Sequence, residues 1–203
     1  MIKQYNGAKA EKTTVAAPLP AGGYVVKIMA AEVKEYDWGD QLVLSFDVAE
    51  GEHKDHFAKE YRANTNEDRK WKGTYRVRIP DEGNQYFASQ QRTFNNLIYC
   101  LEASNTGYHF DWDEKKLKGK TIGALFRDKE WEYNGKTGWT TECCAVIEAD
   151  AVRKNDFKMP KAKPLNTSNH PMVSGNGVEL LRNMADAGTA IEFITDDDLP
   201  FGL

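Results

Sequence analysis

The order of elements predicts a mainly β domain of five strands, with one helix between strands 3 and 4 and a flexible C-terminal tail. Three observations carry this: strict two-residue alternation early in the chain, one change to a helical period near the middle, and an Asn-Gly hairpin signal late. The first seventeen residues are polar or small and lack periodicity, so residues 1–21, ending after Pro18 and Pro20, are expected to form a flexible arm. Tyr24 to Val33 is rich in β-branched and small apolar residues. Leu42, Leu44, Phe46 and Val48 alternate with Val43, Ser45, Asp47 and Ala49, so two strands are expected, joined by Tyr36-Asp37-Trp38-Gly39-Asp40. Phe57 to Asn64 reads as the third strand, and Thr65 to Asn84 as a charged stretch carrying Trp71 and Tyr75.

From Tyr86 to Ala103 the period changes. Phe87, Phe94, Leu97, Ile98 and Leu101 share one helical stripe with no Gly or Pro among them. Lys118-Gly119-Lys120 then leads into a strand over Thr121 to Tyr133, a turn at Asn134-Gly135 and a strand over Lys136 to Val152. Closing the turn at Asn134-Gly135 sets the register. One face pairs Ile122 with Ile147, Ala124 with Ala145 and Phe126 with Cys143. The other pairs Arg127 with Glu142, Lys129 with Thr140 and Trp131 with Gly138, leaving the face of Trp131 uncovered. Three strands, a helix and two strands is the order of the five-stranded OB-type Greek-key barrel. An immunoglobulin-like sandwich needs about seven short strands and no long amphipathic helix, which the element count opposes. The barrel is expected over residues 22–156. Pro160, Pro164, Pro171, Gly175 and Gly177 mark residues 157–195 as a linker, with a short helix over Val178 to Ala185, before an acidic tip at residues 196–203.

The chain of 203 residues has a formal net charge of −4, distributed unevenly. From Asn166 onward one base, Arg182, stands against six acids, leaving 26 bases and 25 acids in the remainder. A near-neutral body with an acidic tail fits a nucleic-acid binder that recruits partners through its tail, although the body lacks the basic excess that would establish it. The N-terminus has no basic region followed by an apolar stretch, and no run approaches a membrane span, so a cytoplasmic protein of a bacterial host cell is expected. Cys100, Cys143 and Cys144 are odd in number and two are adjacent, which argues for reduced core thiols. His53 and His56 have ligand-like spacing, but neighbouring residues on a strand point to opposite faces, so Cys143 and Cys144 cannot join them around one ion. No metal or other cofactor is expected. No phosphate loop and no nucleophile-base pairing is present, and carboxylates such as Asp111, Asp113 and Glu114 lack a supporting spacing, so no enzyme is expected.

Sequence-independent binding of a single strand needs cations for phosphates and flat rings for bases. Both occur together here. Lys54 to Arg78 holds eight bases against four acids, interleaved with aromatic residues. The candidate DNA-binding residues are Tyr36 and Trp38 in the first hairpin; Lys59, Tyr61, Arg62, Arg69, Lys70, Trp71, Tyr75, Arg76 and Arg78 after it; and Arg127, Lys129, Trp131, Tyr133 and Lys136 toward the last hairpin. Trp38, Trp71 and Trp131 are the expected base-stacking rings, whereas Trp112 and Trp139 read as packing residues. The blander alternative makes each ring a core or rim residue and the charges a solvated loop face.

The chain ends Asp196-Asp197-Asp198-Leu199-Pro200-Phe201-Gly202-Leu203. This segment resembles the acidic tip of bacterial single-stranded-DNA-binding proteins, Asp-Asp-Asp-(Leu/Ile)-Pro-Phe, with Gly202 and Leu203 added beyond the phenylalanine. The resemblance implies that Asp196, Asp197, Asp198, Leu199, Pro200 and Phe201 recruit replication or recombination proteins. The body also resembles a family of phage-encoded proteins found beside recombination genes and thought to be OB-type single-strand binders. The matching residues are Gly23-Tyr24, Gly39 through Val48, Phe94 through Leu101, Leu117 through Lys120, and Tyr133-Asn134-Gly135. Together they imply a phage or prophage protein that binds and protects single-stranded DNA during replication, recombination or repair. The alternative is a protein-interaction adaptor with an OB-like domain that does not bind DNA. A homo-oligomer is compatible with the sequence, which advertises no subunit interface.

Overall fold

The computed structural model describes residues 17–165. They lie within the first of two units, Met1–Leu165, the second being Asn166–Leu203. The described part is mainly β. Five antiparallel strands, β1 (Gly22–Lys34), β2 (Gln41–Val48), β3 (Thr74–Arg78), β4 (Thr121–Tyr133) and β5 (Lys136–Ile147), form one sheet in the order β3-β2-β1-β4-β5. Helix α1 (His56–Ala63) joins β2 to β3, α2 (Phe87–Ser104) joins β3 to β4, and α3 (Ala149–Arg153) follows β5.

Strand β1 serves two neighbours. Gly22 to Lys27 pair with β4, Val26 to Lys34 pair with β2, and the register shifts between Ile28 and Ala30 where Met29 bulges out. A bulge bends and twists its strand. β1 therefore curves from one partner to the other, and the sheet wraps a core of Val26, Ile28, Leu44, Phe46, Phe126 and Val146 closed by Phe94, Leu97 and Leu101 of α2. The outermost strands β3 and β5 come near each other, although no ladder joins them among the described residues. Asn105 fixes the end of α2 to the start of β4: its amide donates to Leu101 O and Thr121 O and accepts from Thr121 N.

Several expectations are corrected. Phe57 to Asn64 is not a strand. Asp55 takes a left-handed φ of 60°, and the buried Asp47 carboxylate accepts from the backbone N–H of Phe57 at 2.9 Å and Ala58 at 3.0 Å, satisfying two donors of the first helical turn. Residues 56–63 therefore coil, and the i, i+4 spacing of Phe57 and Tyr61 was the available sign. The third strand is the alternating Thr74-Tyr75-Arg76-Val77-Arg78, inside the stretch read only as charged. The helix between strands 3 and 4 lies where expected, but it is one of three α-helices among the described residues. β5 ends at Ile147, and the residues through Val152 that were read as strand turn into α3.

The hairpin register matches from Tyr133–Lys136 back to Phe126–Cys143, around a turn whose Asn134 and Gly135 both have positive φ. There Cys144 is bulged, so Ala145 faces Leu125 instead of Ala124, and Ile147 faces Gly123 instead of Ile122. The ordered chain is longer at both ends than expected. Leu19 is a core residue inside the segment read as an arm. The segment read as the start of a linker packs on the domain, where the Phe157 ring leaves no room for a Cβ on Gly23 and Lys163 exchanges backbone hydrogen bonds with Asp128 and Glu130. The rest of the arm, the helix expected over Val178 to Ala185 and the acidic tip lie outside the described residues. Among the described residues no helix is long and apolar enough to cross a membrane.

Replacing Asp47 by Ala is expected to destabilise the fold by about 2 to 3 kcal/mol, since buried backbone donors lose a charged acceptor. Urea unfolding measures it; a loss below about 0.5 kcal/mol would mean that α1 does not depend on this cap.

Candidate nucleic-acid interface

Strand β3 sorts its residues by face. Tyr75 and Val77 enter the core, while Arg76 is exposed and Arg78 half-buried on the outer side. Arg76 stands opposite Val43, and Arg78 opposite Gln41. At the same end of the sheet the β1–β2 connection turns back on itself, with Gly39 at φ 118° and its N–H donating to Tyr36 O. This turn sets the Tyr36 and Trp38 rings parallel, with centroids 4.5 Å apart and planes within 7°. The Arg78 guanidinium lies 3.6 Å over the Trp38 ring and donates from Nη1 to Trp38 O at 2.9 Å. A stacked ring and a guanidinium cannot share one ring face, so Trp38 is held between Tyr36 and Arg78. Tyr36 and Trp38 remain 41% and 44% exposed. Burial draws the Arg78 pKa down from its usual value, yet a guanidinium stays charged.

The middle of the predicted site divides differently. The Trp71 indole N–H donates to Phe46 O at 3.0 Å and Gly73 O at 3.1 Å, and its ring packs against the core. Trp71 therefore secures the approach to β3, where a Cβ on Gly73 would fall 2.3 Å from Phe46 O. Tyr75 is a core residue with no ring face open to a base, and burial pushes its phenol well above the ordinary value. Tyr61 leans on Trp71 and is covered by Arg69, whose guanidinium lies 4.6 Å from the ring centre. Lys59 donates to Lys54 O. Arg62, Lys70 and Arg76 are exposed and form no ion pair among the described residues.

The β4–β5 hairpin carries the third group. Arg127 and Lys129 share the Glu142 carboxylate, at 2.8 Å and 2.9 Å, so two of its cations are partly neutralised. Burial alone would raise the Glu142 pKa, but the hydrogen bonds from Lys129 and Arg127 outweigh it and hold the carboxyl below its usual range. Trp131 is not uncovered by Gly138. Its ring lies against that glycine so closely that a Cβ there would meet it at 2.7 Å, leaving Trp131 39% exposed. Tyr133 and Lys136 are exposed near the tip. Trp112 and Trp139, expected to pack, are instead 73% and 52% exposed. Trp112 stacks on Phe94 in the middle of α2, with a left-handed φ of 67° that few bulky residues adopt. Strand alternation puts Trp139 on the same face as Cys143, but opposite Glu130, where the hairpin has run past the core.

Thus the structure brings Tyr36, Trp38, Arg76 and Arg78 to one end of the sheet and groups Arg127, Lys129, Trp131, Tyr133 and Lys136 on one hairpin face. It commits Trp71 and Tyr75 to packing. The tip residues Asp196 to Phe201 lie outside the described residues. Among the described residues no group of His, Cys, Asp or Glu is arranged to hold a metal ion. All three cysteines are free thiols, and burial raises the pKa of each, that of Cys100 to about 11. No protein-family model matches the sequence, and no curated protein matches it as a relative.

Because the folded Glu142 carboxyl titrates below its unfolded value, its ion pairs stabilise the protein above the ordinary carboxylate range and cease to do so as pH falls through the folded value. Glu142→Gln is expected to lower the urea midpoint at neutral pH and to match the parent chain in acid. An equal loss at both pH values would contradict the ion-pair origin.

Proposed function

We propose that this chain binds single-stranded DNA without reading its sequence, as an OB-type barrel that protects transient single strands in phage or bacterial DNA replication, recombination or repair. The observation that carries the reading is the Tyr36–Trp38–Arg78 stack beside the exposed Arg76, which combines flat rings with cations at one end of β3. Two further features support it. The strand order, with β3 and β5 near each other, agrees with an OB barrel, and OB folds take oligonucleotides across strands 2 and 3 between the β1–β2 and β4–β5 loops. The stack and the arginines of β3 belong to that surface, and the hairpin with Trp131, Tyr133 and Lys136 is its β4–β5 loop. Stacking is worth about 1 to 3 kcal/mol per base, and each phosphate contact adds to the salt dependence of binding. Acting by contact alone, the protein needs no cofactor. The acidic tip from Asp196 to Phe201 then recruits the enzymes that work on the coated strand.

Titration with oligo-dT, followed by tryptophan fluorescence at low and high salt, tests this. Expected are quenching and an affinity that falls with salt, a loss of about 1 to 3 kcal/mol for Tyr36→Ala, the outer ring of the stack, and a salt slope reduced by about one for Arg76→Ala. Absence of quenching and of binding at low salt would overturn the reading in favour of a protein adaptor. Removing Asp196 to Leu203 is expected to preserve or raise affinity for oligo-dT, because an acidic tail competes with DNA for cations; a large loss would contradict the role given to the tip.

A further inference from the structure

The β4–β5 hairpin runs past the start of β1, so both of its edges leave the body of the sheet. The two edges are treated differently. Along β4, Lys163 takes the place that β1 vacates, accepting from Glu130 N at 2.9 Å and donating to Asp128 O at 2.8 Å. Along β5, residues 136–142 form the sheet border, and their outer backbone groups meet no strand among the described residues. Free edges are ordinarily protected by proline, by bulges, by charged side chains or by being very short. In Lys136-Thr137-Gly138-Trp139-Thr140-Thr141-Glu142 the charges stand only at the two ends, the stretch between them is regular and rich in β-forming residues, and the bulge falls only beyond it, at Cys144.

We propose that the β5 edge pairs with the same edge of a second copy of this chain, antiparallel about Trp139. The sequence of the edge selects that occupant and register. A two-fold axis through a strand sets each residue against its mirror position, and directly opposed residues share a face. Among registers that keep like faces together, the one centred on Trp139 sets Lys136 of each copy against Glu142 of the other. Thr137 then faces Thr141, Gly138 faces Thr140, and Trp139 faces itself. Opposite charges, paired threonines and an aromatic pair are the favourable cross-strand combinations. Trp139 thereby gains a partner for a ring that is half exposed on the isolated chain. The four-stranded ribbon so formed places the Arg127, Lys129, Trp131 and Tyr133 faces of both copies on one side. On the single-strand reading proposed above this is a continuous track for the strand, but the pairing itself does not rest on that reading.

The test uses the full chain without DNA, so its outcome is independent of the titration. Light scattering across a concentration series is expected to give a dimer, and Lys136→Glu, which opposes two carboxylates twice over, is expected to weaken it about tenfold or more. Register is read by oxidative cross-linking. Trp139→Cys is expected to form a disulfide across the axis, whereas Thr137→Cys does not, because its symmetry mate lies about 13 Å away along the strand. A monomer at every concentration, a dimer indifferent to Lys136→Glu, or equal cross-linking of the two cysteine variants would overturn the pairing.

Discussion

The Asp47 carboxylate is the interaction on which the arrangement of the outer face depends. It is buried at the end of β2, and accepts from the N–H groups of Val48, Phe57 and Ala58. Held this way, residues 56–63 form a helix, and Phe57 reaches the core against Phe46 and Phe126. The chain then returns past Gly73, whose missing side chain admits the Phe57 ring and Phe46 O, and enters the sheet as β3 at Thr74. Were residues 57–64 the third strand, Arg76 and Arg78 would sit in a loop. As it is, they stand on a strand at a fixed register, and Arg78 reaches the Trp38 ring.

Rigidity is the property that this geometry gives the surface. Trp38 is clamped between a ring and a guanidinium that also binds its carbonyl, so little side-chain freedom is left for a ligand to remove. The Glu142 bridge does the same for Arg127 and Lys129 at the cost of part of their charge. Arg76, by contrast, presents its charge without an acidic partner among the described residues. The surface therefore has fixed aromatic and guanidinium positions for orientation and exposed cations for long-range attraction.

Much of the fold is legible in the sequence where local pattern and tertiary context agree. The alternation of Leu42 to Val48, the stripe on α2 and the Asn134-Gly135 turn each satisfy their own local rule, and the sheet leaves them undisturbed. The misreadings occur where a distant group decides. Nothing within Phe57 to Asn64 announces that a carboxylate ten residues earlier caps it, and the charge of Thr65 to Asn84 masks a five-residue alternation. The hairpin register is right up to Cys143 because a turn fixes pairing only as far as the first bulge. For the candidate site, residue types were legible but ring orientations were not. Trp71 and Trp38 look alike as loop tryptophans. Two backbone carbonyls bury the indole N–H of one, while a tyrosine and an arginine hold the other at the surface. Tyr75 was drawn into the site by its arginine neighbours, although strand alternation sends it to the opposite face.

The central claim is that a single strand lies across β3 against the Tyr36–Trp38 stack. Photo-crosslinking of the full chain to halogenated oligo-dT, with the adducts located by peptide mass, tests it most directly. Adducts on the peptide carrying Tyr36 and Trp38, with further adducts on the β4–β5 hairpin, are the predicted result. Adducts confined to α2 and the segment around Trp112, with none on the Tyr36 and Trp38 peptide, would contradict it.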